Sequence, residues 1–240
     1  KVNMDNATIN KSYFDNTLLG YASMNNIKLI DSSMKNARLL EVQLTNSVIS
    51  NTNFDGVDLG FAHFNGSVLN NILFNKAIMN YAHFDNTKII DSEIEKAVLT
   101  NTYFEDSELI RCHLECANLS EAHLEGMILR ESHIEGAIFL KTILNDTTLI
   151  LNCIVDHQTD FRGVGLGNIR IEPGTRALLE YNCRRMNWED WYKNHKYLRW
   201  PVQLFWLISD YGHSTGRIIG TFLGFALFFA FLYTFIPNLM

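Results

Sequence analysis

The residues with chemistry to offer in this 240-residue chain are 4 cysteines, 8 histidines and 26 carboxylates. The densest grouping, Cys112-His113-Leu114-Glu115-Cys116, has the residue types of a metal site. His63 and His83 stand 20 residues apart, as do His113 and His133. Glu95, Glu115 and Glu135 share that spacing, and so do Asp85, Glu105 and Glu125. Between Asp91 and Glu135 there are 11 acidic and 3 basic residues, a net of −8. No nucleophile, general base and orienting group converge in a recognisable order, and no phosphate-binding glycine loop is present, so an enzyme is not expected. No cofactor is expected either.

The elements that position these groups follow from an internal period. Every fifth residue from Met4 through Ile9, Phe14, Leu19 and onward to Leu149 and Ile154 is large and apolar, 31 in succession. Two places before each stands a mostly small residue, such as Ala7, Ser12, Thr17, Ala22 and Ser32. Side chains two apart on an extended chain share a face, so each repeat points two residues inward and the one between them outward. The remaining two must turn the chain, which suits Asp15-Asn16, Asn25-Asn26 and Asp55-Gly56. Phe61-Ala62-His63-Phe64 is echoed 20 residues later by Tyr81-Ala82-His83-Phe84, so four repeats close one coil. Coils stacked about 4.8 Å apart make nearly eight turns roughly 37 Å long. Phe64, Phe84 and Phe104 are expected to stack on one side, with Phe14, Phe54 and Phe74 opposite.

That geometry sorts the reactive groups. Cys112 falls in the inward small column and Cys116 at a turn, so they diverge and read as structural. With no signal peptide visible, reduced thiols are expected rather than disulfides. The paired histidines read as outward spacers one coil apart, with metal binding or pH sensing as the alternative. Stacked like charges are unfavourable, so the acidic columns read either as a solvated face or as a surface for a cationic or basic partner. The expected interaction surface is therefore Glu95, Glu105, Glu115, Glu125 and Glu135 with His113 and His133.

The unit Ala117-Asn118-Leu119-Ser120-Glu121 resembles the consensus of the pentapeptide-repeat family, and the pattern covers residues 2–155, continuing irregularly to about 171. The resemblance implies a right-handed quadrilateral β-helix, all β, serving as a binding surface rather than a catalyst. After Ile154 the register fails at Thr159. It resumes in Thr159-Asp160-Phe161, Val164-Gly165-Leu166 and Ile169-Arg170-Ile171, as if Asp156-His157 were inserted.

Three parts are expected: the β-helix at 1–171, a helical aromatic-rich segment at 172–216, and a transmembrane helix with the chain end at 217–240. Thr175 is placed to cap a helix running to about Asn194. Trp200 to Trp206 reads as a short helix lying in a membrane interface. Ile218 to Ile236 holds 19 uncharged residues, about 28 Å of helix against a ~30 Å hydrocarbon core. Trp188, Trp191, Trp200, Trp206 and Arg217 then become the membrane interface, with lipid as a partner. The basic approach places the solenoid in the cytoplasm. Gly220 and Gly224 suit a homo-oligomer packed through the span. No nucleic acid is expected to bind, and the protein partner is left open.

The run from Phe205 to Ser214, with the aromatic span after it, resembles bacterial proteins in which a pentapeptide-repeat solenoid precedes a two-span potassium-channel-like pore. The chain begins in mid-register and stops after an apolar run, as a fragment open at both ends would. Three readings follow: the regulatory part of an ion-channel-like protein, a membrane-anchored scaffold, or an acidic DNA mimic acting on a topoisomerase.

Overall fold

The structure, a computed structural model, describes residues 2–195, 199–210 and 214–235. Nine short strands are β1 (Thr8–Asn10), β2 (Lys28–Ile30), β3 (Val48–Asn53), β4 (Val68–Leu73), β5 (Lys88–Ile90), β6 (Glu108–Ile110), β7 (Ile128–Arg130), β8 (Leu149–Leu151) and β9 (Arg170–Ile171). They form one parallel sheet in sequence order. Ile9 faces Leu29, Leu29 faces Ile49 and Ile89 faces Leu109, each pair 20 residues apart. Single parallel bridges such as Leu18 to Arg38 and His63 to His83 tie the other sides at the same offset. The chain is a right-handed β-solenoid of four-sided coils.

The corners explain the residue choice. At three of the four, the central residue's carbonyl accepts the N–H three places on: Met4 from Ala7 at 3.0 Å, Phe14 from Thr17 at 3.2 Å and Leu19 from Ala22 at 3.1 Å. The second corner residue has positive φ, 62° at Asn6 and 58° at Asn16, a region that Asn tolerates better than most residues. Tyr21 and Phe61 adopt it too, with φ of 60° and 57°. Their N–H groups are held by Leu40 and Asn80 of the next coil, at 2.8 and 2.9 Å.

The fourth corner, following the strands, uses side chains instead. There Ser12, Ile72 and Cys112 donate their N–H to the hydroxyls of Ser32, Ser92 and Ser132 one coil on, at 3.1, 3.0 and 3.0 Å. The inward small column therefore needs hydroxyls as well as small volume, because a buried N–H without a partner is costly.

The core is a pair of aromatic stacks. Phe64 lies over Phe84 at 4.8 Å and Phe84 over Phe104 at 4.9 Å, while Phe54 and Phe74 stack at 5.2 Å on the opposite side. The stacks meet edge-on between Phe64 and Phe74 at 6.3 Å. Each ring is at most 1% exposed, so each contributes about 1.5–3 kcal/mol of apolar burial.

The period of five does not run to Ile154. Leu129 faces Ile150, an offset of 21, so one residue is inserted between Leu144 and Thr148. Ile150 takes the inward place, and Ile154 is 49% exposed. A second single insertion precedes Thr159: Ile138 pairs with Asp160, an offset of 22. Both widened corners are closed by the same device. Asn145 Oδ1 accepts from Gly126 N–H, Thr147 N–H and the Thr147 hydroxyl at 2.7–3.1 Å. Asp156 Oδ1 accepts from Gly136, Gln158 and Thr159 N–H, each at 2.9 Å. Thr148 and Thr159 then point inward and donate to Leu124 and Ile134 carbonyls, at 3.0 and 3.1 Å.

The described chain divides into two compact units, Lys1–Asn182 and Cys183–Met240. Helix α1 (Pro173–Asn194) begins two residues before Thr175, with Pro173 at the first helical position, where its missing N–H costs nothing. Arg176 N–H bonds to the Glu172 carbonyl at 2.9 Å. Within the first unit the buried Asn182 donates to the carbonyls of Asp156 and Thr159, at 2.8 and 3.0 Å.

The second unit contains α2 (Arg199–Ser209) and α3 (Thr215–Phe235). Among the described residues no helix is long and apolar enough to cross a membrane. The described uncharged stretch of α3, Ile218 to Phe235, is about 27 Å long against a ~30 Å hydrocarbon core. The far end of the expected span, Ile236, lies outside the described residues, as do Lys196, Tyr197 and Tyr211 to His213. The transmembrane helix is thus corrected. With it go the channel-like pore, the lipid partner, oligomerisation through the span, and the membrane placement with a cytoplasmic solenoid.

Candidate interaction surface

On the side centred on Phe54, Phe74 and Leu114, the outward spacers of three successive coils are Glu93, His113 and His133, bridged in parallel. The next residue but one in each repeat is Glu95, Glu115 and Glu135. Coil stacking sets His113 over His133, rings 4.7 Å apart and 17° from parallel. Each imidazole meets its own repeat's carboxylate: His113 Nδ1 is 3.0 Å from Glu115 Oε1 and His133 Nδ1 is 3.2 Å from Glu135 Oε1. Glu115 Oε1 also lies 3.8 Å from His133 Nδ1. The hydrogen bond to Glu115 raises the His113 pKa above the ordinary value despite partial burial.

The opposite side carries a second ladder. His63, His83, Tyr103 and His123 stack in one column with centroids 4.8, 4.4 and 4.7 Å apart. Asp85, Glu105 and Glu125 run beside it; His83 Nδ1 is 3.4 Å from Asp85 Oδ2 and His123 Nδ1 is 3.7 Å from Glu125 Oε1. Burial, then the charge of His83, lowers the His63 pKa.

The carboxylates are packed rather than freely solvated. One oxygen each of Glu115, Glu125 and Glu135 is shielded from solvent and has no hydrogen-bond partner. The sheet side is different, because its charges pair across coils: Lys88 with Glu108 at 2.9 Å, and Arg111 with Asp91 at 2.6 and 2.9 Å.

The expected surface thus divides between two sides: Glu95, Glu115, Glu135, His113 and His133 on one, Glu105 and Glu125 on the other. Sequence reading missed His123 and Tyr103. Their signal is a recurring His-x-acid unit, His83-Phe84-Asp85, His113-Leu114-Glu115, His123-Leu124-Glu125 and His133-Ile134-Glu135, in which spacer and first corner residue point the same way. Cys112 is buried and Cys116 exposed, and neither is joined in a disulfide. Burial pushes the Cys112 thiol up to about 12 and Cys153 up to about 11.

The tryptophans expected at a membrane interface sit in the second unit. Trp188 packs on Trp206 at 4.9 Å and on Trp191 at 5.4 Å, and Trp191 stacks on His195 at 4.2 Å. Trp200 is 75% exposed, and Arg217 is exposed on α3. Ring packing within the unit accounts for three of the four without a bilayer.

Solved structures similar to the chain include HetL, a pentapeptide repeat protein of Nostoc sp. strain PCC 7120 involved in heterocyst differentiation regulation. It is 15% identical, over 71% of this chain and 85% of that one, with a TM-score of 0.47. A pentapeptide repeat protein of the Arabidopsis thaliana thylakoid lumen is 25% identical over 42% of this chain and 71% of its own, with a TM-score of 0.41. QnrB1, a plasmid-mediated fluoroquinolone resistance protein, is 16% identical over 69% and 77%, with a TM-score of 0.36. No curated protein sequence matches the chain. The family model for pentapeptide repeats matches segments 22–60, 52–89, 90–126 and 112–149, more than half of the sequence. Together with coils that repeat every 20 residues, this establishes that the chain belongs to the pentapeptide repeat family.

Proposed function

We propose that the solenoid is a binding module that presents its acidic sides to the nucleic-acid-binding surface of a basic protein, as a DNA mimic acting on a topoisomerase does. Pentapeptide-repeat proteins of this kind are non-catalytic, and the chain is not an enzyme. The observation that carries the reading is the pair of carboxylate columns, Asp85, Glu105 and Glu125 on one side and Glu95, Glu115 and Glu135 on the other, with no Lys or Arg among them. Each column adds one charge per coil. Two columns at a strand spacing of about 4.8 Å give about one charge per 2.4 Å, within a factor of two of the ~1.7 Å of duplex DNA. On each side the rigid row, one charge per about 4.8 Å, suits a surface shaped for phosphates, and stacking like charges is a standing cost that a basic partner relieves.

The test is a DNA-relaxation and DNA-binding competition assay with a purified type II topoisomerase. The intact chain should inhibit or displace DNA, with an effect that fades as salt rises. Glu95→Lys, Glu105→Lys and Glu125→Lys combined should remove the effect; Lys35 already occupies this corner position three coils before Glu95, so the fold admits a cation there. Inhibition that survives this reversal, or none from the intact chain, overturns the reading.

A further inference from the structure

We propose that His113, Glu115 and His133, with Glu135 completing the set, form a site for a divalent transition-metal ion of the zinc class. The donor atoms of His113, Glu115 and His133 all lie within 4.8 Å of one another. Glu115 stands between the two imidazoles, its Oε1 3.0 Å from His113 Nδ1 and 3.8 Å from His133 Nδ1. Glu135 Oε1 is 3.2 Å from His133 Nδ1 on the far side. Two nitrogens sharing one ion at ~2.0–2.1 Å sit at most about 4.2 Å apart. Small rotations of the two half-exposed rings supply the closure from the present spacing.

The chemistry of the set fits a borderline cation. Two neutral imidazoles with two carboxylates present a charge of −2, and imidazole nitrogen suits zinc, copper, nickel and cobalt rather than magnesium or calcium. An independent feature points the same way: the second carboxylate oxygens of Glu115 and Glu135 are shielded from solvent without a hydrogen-bond partner. Such oxygens are costly to desolvate unless a cation or donor reaches them. Glu93, bridged to His113 one coil before, adds to the local field. The second His and carboxylate group, Glu105, His123 and Glu125, has a single imidazole, with Tyr103 stacked on it at 4.7 Å. It serves as the internal control.

The experiment uses the untagged full chain, stripped with chelator and titrated with Co2+ followed by visible absorption, then with Zn2+ followed by the shift in Tm. The chain and its His123→Gln variant should both develop tetrahedral-type cobalt bands and melt higher with zinc. His113→Gln and His133→Gln should each weaken cobalt binding by at least the ~10–100-fold that even loss of an outer-shell partner costs, and together abolish it. Gln43 fills the same spacer position on another side, so glutamine is compatible with the coil. If the double variant fails to fold by circular dichroism, His133→Gln alone decides. Absence of cobalt bands and of a zinc shift in the intact chain overturns the site, as do bands that persist unweakened in His133→Gln.

Discussion

The hydroxyl of Ser132 accepts the backbone N–H of Cys112 at 3.0 Å and donates to the carbonyl of Arg130 at 2.8 Å, joining two coils at the corner that lacks a turn hydrogen bond. Both residues are fully buried. Ser132→Ala removes the acceptor and leaves the Cys112 N–H unpaired in the core. A loss of about 1–3 kcal/mol is expected by chemical denaturation, more than the few tenths typical of a surface change. A denaturation midpoint within error of the parent would show that another acceptor takes the N–H.

Much of this architecture was legible in the sequence because two columns repeat without interruption: the inward faces of Met4 to Leu144 follow directly from period five and the alternation of an extended chain. The register beyond Leu144 was not, and the reason is physical. Leu149-Ile150-Leu151 and Ile154-Val155 are apolar runs, so an inward residue is found at either of two registers and hydrophobicity alone cannot choose. The deciding information lies in Asn145 and Asp156, whose side chains close six-residue corners. Charges were legible as columns; their division between opposite sides, and the meeting of each histidine with its own repeat's carboxylate, required the coil geometry.

Phe84 is sandwiched between Phe64 and Phe104 at 4.8 and 4.9 Å. Phe84→Ala should lose about 3–5 kcal/mol, the range for a buried aromatic that leaves a cavity. Phe84→Asp places an unpaired charge there and should unfold the neighbouring coils altogether. Thermal melts by circular dichroism separate the cases, and an unchanged Tm in Phe84→Asp would contradict the inward placement.

Asp156 provides a pH test. Burial alone would raise its pKa, but hydrogen bonds from Gly136 N–H, the Thr159 side chain, and the N–H groups of Gln158 and Thr159 hold it below 3.8. A lowered folded-state pKa means that the carboxylate's contribution is fully present above the unfolded value and is lost as pH falls through the folded one. The parent should therefore lose stability progressively below about pH 4 through this group. Asp156→Asn keeps the acceptor oxygen that Asn145 uses at the equivalent corner, and should flatten that part of the curve while retaining the fold at neutral pH. Asp156→Ala should cost about 1–2 kcal/mol at all pH values where the carboxylate is charged. Urea midpoints at pH 3 to 7 for the three proteins make the comparison; parallel curves for the parent and Asp156→Asn would contradict the assignment.

The widened corners at Asn145 and Asp156 act as dislocations do in a layered crystal. The residue count between stacked neighbours steps from 20 to 21 to 22, yet Phe139 still lies over Phe161 at 4.4 Å, so the layers continue in step while the thread that winds them has gained length. Winding length and layer spacing are thus independent quantities in this molecule. A chain built this way can absorb an added residue wherever an Asn or Asp, followed three places later by a threonine, turns the slack outward, and the spacing of the groups displayed on its sides is left undisturbed.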